Sequence, residues 1–262
     1  SRNHRIFMKF RKGMVSGMRI LVVNDDGIEA AGIVRLAAMA KELGEVWVVA
    51  PDAQCSAMSQ RITVRGELQL QKRDDFPVDG VEAYSLSGTP ADCVKVAVEY
   101  LMKDVLPDIV FSGINKGYNV GYEIAYSGTV GATMEAISKH IPAIAFSVEM
   151  DENYEVTDEH LVGLTRELLK KPIASNEIWN VNFPGCGLNA YQGVAWDAEP
   201  AQTQFFLDRY EAEELGDGCK RLTLAGIPIT QAPDSTDIRA LMDGYISVSR
   251  VKSAIYTVAP DL

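Results

Sequence analysis

An α/β fold with a mostly parallel sheet is predicted by three observations. Apolar strand-like runs alternate with helix-period runs from about residue 18 to residue 184. The first two strand runs, "RILVV" (19–23) and "VWVVAPD" (46–52), are β-branched and nearly continuous in apolar character, as strands buried on both faces are. Between them, "IEAAGIVRLAAMAKEL" places Ile33, Leu36, Ala37, Ala40 and Leu43 at helical spacing. A strand–helix–strand unit of this kind is normally parallel and right-handed.

Each element follows in turn. Gly44 reads as a helix C-cap before the second strand. "RITVRGELQLQKR" (61–73) alternates and suits a hairpin arm on the sheet margin. "GTPADCVKVAVEYLM" (88–102) opens a helix with Thr89 as N-cap, Pro90 at the first helical position and Asp92 near the dipole. "PDIVFSG" (107–113) is a further strand, running into the Gly- and Asn-rich loop "INKGYNVGYEIAYSGT". "GTVGATMEAISKH" (128–140) is a helix, "PAIAFSV" (142–148) a strand, 157–170 a helix and "IWNVNFP" (178–184) a strand. After Pro184 the alternation stops. Residues 185–262 read as irregular loops with a helix around 235–243 and a strand "GYISVSRV" (244–251) that has no obvious local partner. That strand predicts a homodimer or homotetramer built partly by the C-terminal region. Residues 1–17 carry Arg2, Arg5, Lys9, Arg11 and Lys12 without the apolar run of a secretory signal. They are expected to be a mostly disordered basic extension, from an upstream start or appended residues, ahead of a single domain over 18–262.

Bulk properties narrow the function. The formal net charge of -11 argues against a basic face for nucleic acid polymers. No stretch reaches the ~18 apolar residues of a membrane helix. The four cysteines form no CxxC pair and suit free thiols in a reducing, cytoplasmic setting. With three histidines, His4 in the extension and His140 and His160 at or in helices, neither a Ser–His–Asp triad nor a His-rich zinc site is expected. Neither GxxxxGK[ST] nor GxGxxG is present, which removes Walker and dinucleotide sites.

Three loops leave the carboxyl ends of predicted parallel strands, where open α/β sheets bind ligands. "NDDG" (24–27) is followed by a helix, so its Asp-Gly is no hairpin turn. It offers Asn24, Asp25 and Asp26; "PDAQCSAMS" (51–59) offers Asp52, Ser56 and Ser59; "SGINKGYN" (112–119) offers Ser112, Asn115 and Lys116. If the strands are neighbours these groups converge. Oxygen donors of this kind suit Mg²⁺, Mn²⁺ or Ca²⁺, and a cation would relieve the repulsion between two confined aspartates. "YSGTVG" (126–131) adds an anion site, with Ser127 and Thr129 hydroxyls and open N–H groups at a helix start. Lys116 is a candidate for further positive charge.

In the order "MRILVVNDDG", "VWVVAPD" with Ser56, "GTPADCV", "SGINKGYNVGYEIAYSGTVGATMEA" and "STDIRALMDGYISV", the sequence resembles the SurE family, the survival-protein-E 5′/3′-nucleotidases. The resemblance runs from residue 18 to about 250. It implies a Rossmann-like three-layer sandwich with an exchanged C-terminal hairpin, and a metal-dependent phosphomonoesterase acting on nucleoside monophosphates, with short polyphosphate as a further substrate. Asp25, Asp26, Ser56 and Asn115 match the family's ligands for one divalent ion per subunit, Mg²⁺ or Mn²⁺. The Ser127-Gly128-Thr129 turn matches the segment lining the phosphate pocket, beside Asn115 and Lys116. Asp25 or Asp26 would orient or deprotonate the water. Two rivals stand: an aspartyl-phosphate phosphatase, whose usual aspartates are spaced by one residue rather than adjacent, and a non-catalytic metal- or nucleotide-binding stress module. The second loop departs from the family pattern, with Ala53 where most members carry Arg and Ala57 where they carry Gly.

Overall fold

The computed structural model describes residues 17–255 together with the backbone of Phe7–Met8. Most of the N-terminal extension therefore lies outside the described residues; within it, Phe7–Met8 pairs antiparallel with Ile173–Ala174.

The core elements run in chain order as β1 (Met18–Val23), α1 (Ala31–Lys41), β2 (Gly44–Pro51), β3 (Leu70–Lys72), β4 (Glu82–Leu86), α2 (Pro90–Val96) and β5 (Ile109–Lys116). They continue with α3 (Gly128–Ser138), β6 (Ala143–Val148), α4 (Glu155–Leu168), β7 (Glu177–Phe183), β8 (Gly193–Trp196), the hairpin β9 (Tyr210–Gly216) and β10 (Cys219–Leu224), α5 (Asp237–Met242) and β11 (Tyr245–Lys252). Nine of these strands form one sheet in the order β8-β11-β7-β6-β5-β1-β2-β4-β3. From β7 through β4 every neighbouring pair is parallel.

Strand parity builds two cores. In β1, Ile20 and Val22 face one side with Ile33, Leu36 and Ala40 of α1 and Leu161, Leu164 and Leu168 of α4. Leu21 and Val23 face the other with Cys93 and Val94 of α2 and Val130, Ala136 and Ile137 of α3. The result is a three-layer α/β sandwich. Each fully buried aliphatic side chain contributes about 1.5–3 kcal/mol.

The start of α2 forms as its sequence dictates: Thr89 accepts from the Asp92 N–H, and the Asp92 carboxylate accepts the Thr89 N–H in return. Gly44 does not cap α1. It opens β2, and a methyl there would run into the Met18 carbonyl oxygen, so glycine is needed for close strand approach. The alternating run 61–73 supplies only the three residues of β3, antiparallel to β4 at the sheet margin.

The strand "GYISVSRV" has partners after all. β11 lies between β7, which it pairs antiparallel, and β8, which it pairs parallel. What is left unpartnered is the β9–β10 hairpin: all its residues are exposed, including Tyr210 at 62% and Leu222 at 60%. No helix among the described residues is long and apolar enough to cross a membrane.

Candidate active site

β1 lies between β5 and β2, so the three loops open side by side at the carboxyl edge of the sheet. The chain fills the sheet outward from β1 in one direction through β2 and β4, then in the other through β5, β6 and β7. The "NDDG" and "SGINK" loops therefore flank the point where the winding reverses, where the crevice of such sheets lies.

Asp25 is buried, at 5% exposure. Its Oδ1 accepts the Thr129 hydroxyl at 2.6 Å. Burial pushes its carboxyl up to about 6 from the usual 3.8, the Thr129 hydroxyl draws it back, and the Asp26 charge adds to the rise. Its backbone carbonyl accepts the Cys55 N–H at 2.7 Å, tying the second loop to the first. Asp26 is half-buried and accepts the Lys116 backbone N–H on Oδ2 at 2.9 Å, which ties the end of β5 to the first loop. Ser112, Asn115 and Lys116, expected in a loop, lie within β5, whose pairing with β6 runs on to Lys116 past an irregularity. Its carboxyl is also raised, chiefly by burial; the Lys116 N–H and the Gln54 side chain oppose the rise, and the Glu152 charge adds to it.

Asn24 is fully buried and donates to the Gly27 carbonyl at 2.8 Å, while its Oδ1 is buried without a partner, as is the Ser112 hydroxyl. The Asn115 amide N–H donates to the Gly117 carbonyl at 2.8 Å, leaving its Oδ1 as the acceptor end. Ser56 stands exposed in the second loop. Asp52 is exposed too, and Ser59 is committed elsewhere: its hydroxyl donates to the Ala125 carbonyl at 2.7 Å. His160 packs on the Tyr191 ring, with centroids 4.4 Å apart.

At the start of α3 the Ser127 hydroxyl accepts from the Val130 N–H. Thr129 gives Asp25 both its hydroxyl and its backbone N–H. The Thr129 hydroxyl expected at a phosphate is thus already donated to Asp25, whereas the Ser127 oxygen only accepts the helix cap. Gly128 sits directly over the carboxylate: a Cβ there would lie 3.0 Å from Asp25 Oδ2 and 3.0 Å from Asp25 Cβ. The positive end of the α3 dipole therefore meets the Asp25 carboxylate at close range. A cavity of about 520 Å³ runs along α3 from Ser127 to Met134, but none of Asp25, Asp26, Ser56 or Asn115 lines it.

Two residues of the site escaped the sequence reading, Gln54 and Glu152. Glu152 follows β6, a fourth parallel strand end, and its Oε2 lies 3.5 Å from the Lys116 ammonium. The rule that selected the other three loops would have reached it had it been extended to β6.

Ala57, next to the exposed Ser56, has φ 55°. This is the left-handed region, where a Cβ costs roughly 1–2 kcal/mol. Ala57→Gly is expected to raise the melting temperature by a few degrees. Thermal denaturation checks this, and an unchanged or lower melting temperature would show that the loop is not strained.

Among the described residues no three His, Cys, Asp or Glu side chains are placed to hold a metal ion. Any ion here would rest on two carboxylates and neutral oxygens, a set that fits a hard divalent cation. The buried, unpartnered Asn24 carbonyl beside the pair adds to that polar character.

Comparison with known proteins decides the family. Residues 20–204 match the model of "Survival protein SurE". The chain belongs to the SurE family. It is 39% identical over 236 residues to the 5′-nucleotidase SurE of Cytophaga hutchinsonii, covering 87% of this chain and 88% of that protein. With the 5′-nucleotidase SurE of Alkaliphilus metalliredigens it shares 38% over 241 residues, 89% of this chain and 92% of that one. Its fold is similar to the crystal structure of the SurE protein from Aquifex aeolicus, with a TM-score of 0.77, 32% identity, and coverage of 89% and 93%. The "NDDG", "SGIN" and "YSGTVG" loops all fall inside the span matched to SurE, whereas the run 235–248 lies beyond it.

Proposed function

We propose that this SurE-family chain is a divalent-metal-dependent phosphomonoesterase. It hydrolyses nucleoside 5′-monophosphates, and 3′-monophosphates, to nucleoside and inorganic phosphate. The observation that carries the reading is the meeting of Asp25 and Asp26 with the "SGIN" loop at one sheet edge, the carboxyls of both raised by burial. Adjacent buried carboxylates are unfavourable unless a cation or proton joins them. The naming of relatives as 5′-nucleotidases supports the substrate class.

Asp25, Asp26, Ser56 and Asn115 would hold one Mg²⁺ or Mn²⁺ ion, which when bound supplies a Lewis acid and lowers the pKa of water. The rest falls to the protein. Asp26, the less buried of the pair, would take the proton of the attacking water, while Asp25 stays fixed by Thr129. The water oxygen bonds to phosphorus as the P–O ester bond breaks, and the departing nucleoside oxygen takes a proton from solvent. Lys116 and the first turn of α3 bring positive charge to the phosphate, where positioning and charge stabilisation supply most of the rate of such slow reactions.

The chain works as a homodimer or homotetramer in the cytoplasm. The exposed apolar residues of the β9–β10 hairpin support the assembly, and four free cysteines support the compartment. Light-scattering mass at micromolar concentration is expected to be at least twice the 28.7 kDa of one chain; a monomer would refute the assembly.

The experiment is phosphate release across 5′- and 3′-nucleoside monophosphates and a non-nucleoside phosphate ester. Turnover of nucleotides well above that of the non-nucleoside ester is expected. No turnover with any ester would leave the non-catalytic binding module standing, and a trapped phosphoenzyme would favour the aspartyl-phosphate route.

A further inference from the structure

Glu152 is built into the edge of the site. It lies beyond β6 with φ 55°, and its N–H donates to the Glu149 carbonyl at 3.0 Å. The next residue pins the loop: Asn153 Nδ2 donates to the Gly185 carbonyl at 3.1 Å, and its Oδ1 accepts the Glu155 N–H at 3.1 Å. The Glu152 carboxylate is held from two sides. The Lys116 ammonium lies 3.5 Å from Oε2, and the Tyr154 hydroxyl donates to Oε1 at 3.3 Å. Tyr154 is itself fixed, with the Arg35 guanidinium 4.3 Å over its ring. Arg35 is in turn paired with Asp158 at 2.6 Å.

The consequence is electrostatic. Lys116 is the cation that the third loop brings beside Asp26, through its own N–H. Its charge is offset by Glu152, and both side chains are open to solvent, at 44% and 35%. The second loop adds no compensating cation, having Ala53 and Gln54 there. An incoming phosphate can take Lys116 from Glu152, because an exposed ion pair contributes under about 1 kcal/mol. Glu152 is then left as an uncompensated anion at the mouth, held by Tyr154. Its repulsion grows with the charge of the substrate.

We propose that Glu152 is a specificity-determining residue that weakens the binding of polyanionic substrates relative to phosphate monoesters. The proposal rests on reading the site as a phosphate-ester hydrolase.

The test compares wild type, Glu152→Gln, Glu152→Asp and Glu152→Gly. Glycine is included because the left-handed φ suits it, so this variant folds even if glutamine is not tolerated. KM and kcat are measured for a nucleoside 5′-monophosphate and for tripolyphosphate. In the neutral variants the KM for tripolyphosphate is expected to fall about tenfold and that for the monophosphate at most about twofold. Glu152→Asp, which keeps the charge, is expected to keep the wild-type ratio. An unchanged ratio in the neutral variants, or an aspartate variant that behaves like glutamine, would overturn the proposal. Calorimetric binding of tripolyphosphate against inorganic phosphate gives the same comparison without turnover. If no variant hydrolyses a monophosphate, the nucleotidase reading fails. The binding ratio then still decides whether Glu152 repels polyanions.

Discussion

Asp25→Asn and Asp26→Asn are each expected to lower kcat/KM for a nucleoside monophosphate by at least about 10²-fold, while the chain stays folded. The two variants should differ in stability. Asp25 is almost wholly buried and its carboxyl sits at about 6 in the folded chain against an ordinary 3.8. Between those values the folded form keeps a proton that the unfolded chain has lost. Without metal, stability therefore falls as pH rises through this window, and above pH 6 the charged carboxylate costs about 3 kcal/mol. Asparagine carries no such cost and can still accept the Thr129 hydroxyl. In chelator at pH 7, Asp25→Asn should melt on the order of 8 °C above wild type. The gap should close as the pH approaches 4. Thermal melts of both proteins across that range read it directly. Near-normal turnover, or a gap that widens on acidification, would make the pair an ordinary structural turn.

Removal of divalent metal is expected to have an effect at least as large. Chelation should reduce phosphate release by about 10³-fold or more, and added Mg²⁺ or Mn²⁺ should restore it. Metal should also raise the melting temperature of wild type, because a ligand that binds only the folded form stabilises it. It should do so far less in Asp25→Asn. Full activity in a chelated sample would contradict the role given to the four oxygen donors.

The parallel core was legible in the sequence because its signals are local. Ile20 and Val22 alternate with Leu21 and Val23 between two cores. Ile33, Leu36 and Ala40 repeat at the helical period. Thr89 and Asp92 close their cap within one turn. The neighbourhood of the candidate site was legible for a related reason: neighbouring strands bring the Asp25–Asp26 turn beside Cys55 and Lys116.

The C-terminal third was harder to read. β11 could be seen as a strand, but its partner β7 lies far earlier in the chain, as the pairing of Ser247 with Asn182 shows. It is buried on both faces, and while Ile246 and Val248 fill one, the other carries Ser247 and Ser249, which no hydrophobic pattern reveals. In the β9–β10 hairpin, Glu211, Glu213 and Arg221 are exposed together with Leu222 and Leu224. With neither face buried, no period-2 signal arises. The Asp217-Gly218 pair at its tip is a turn signal that was available and not used. Gly44 was misread because a C-cap and a close strand approach ask for the same residue. Glu152 is a loop acid without a pattern, and its ion pair with Lys116 appears only when β6 is placed beside β5.

The central claim is that Asp25 and Asp26, with Ser56 and Asn115, hold a divalent ion. Calorimetric titration of Mn²⁺ into the metal-free protein, in parallel with Asp25→Asn and Asp26→Asn, tests it most directly. One ion per chain is expected for wild type, with affinity reduced at least about tenfold in each variant. Equal binding by all three proteins, or no binding by a wild type that still releases phosphate, would contradict it.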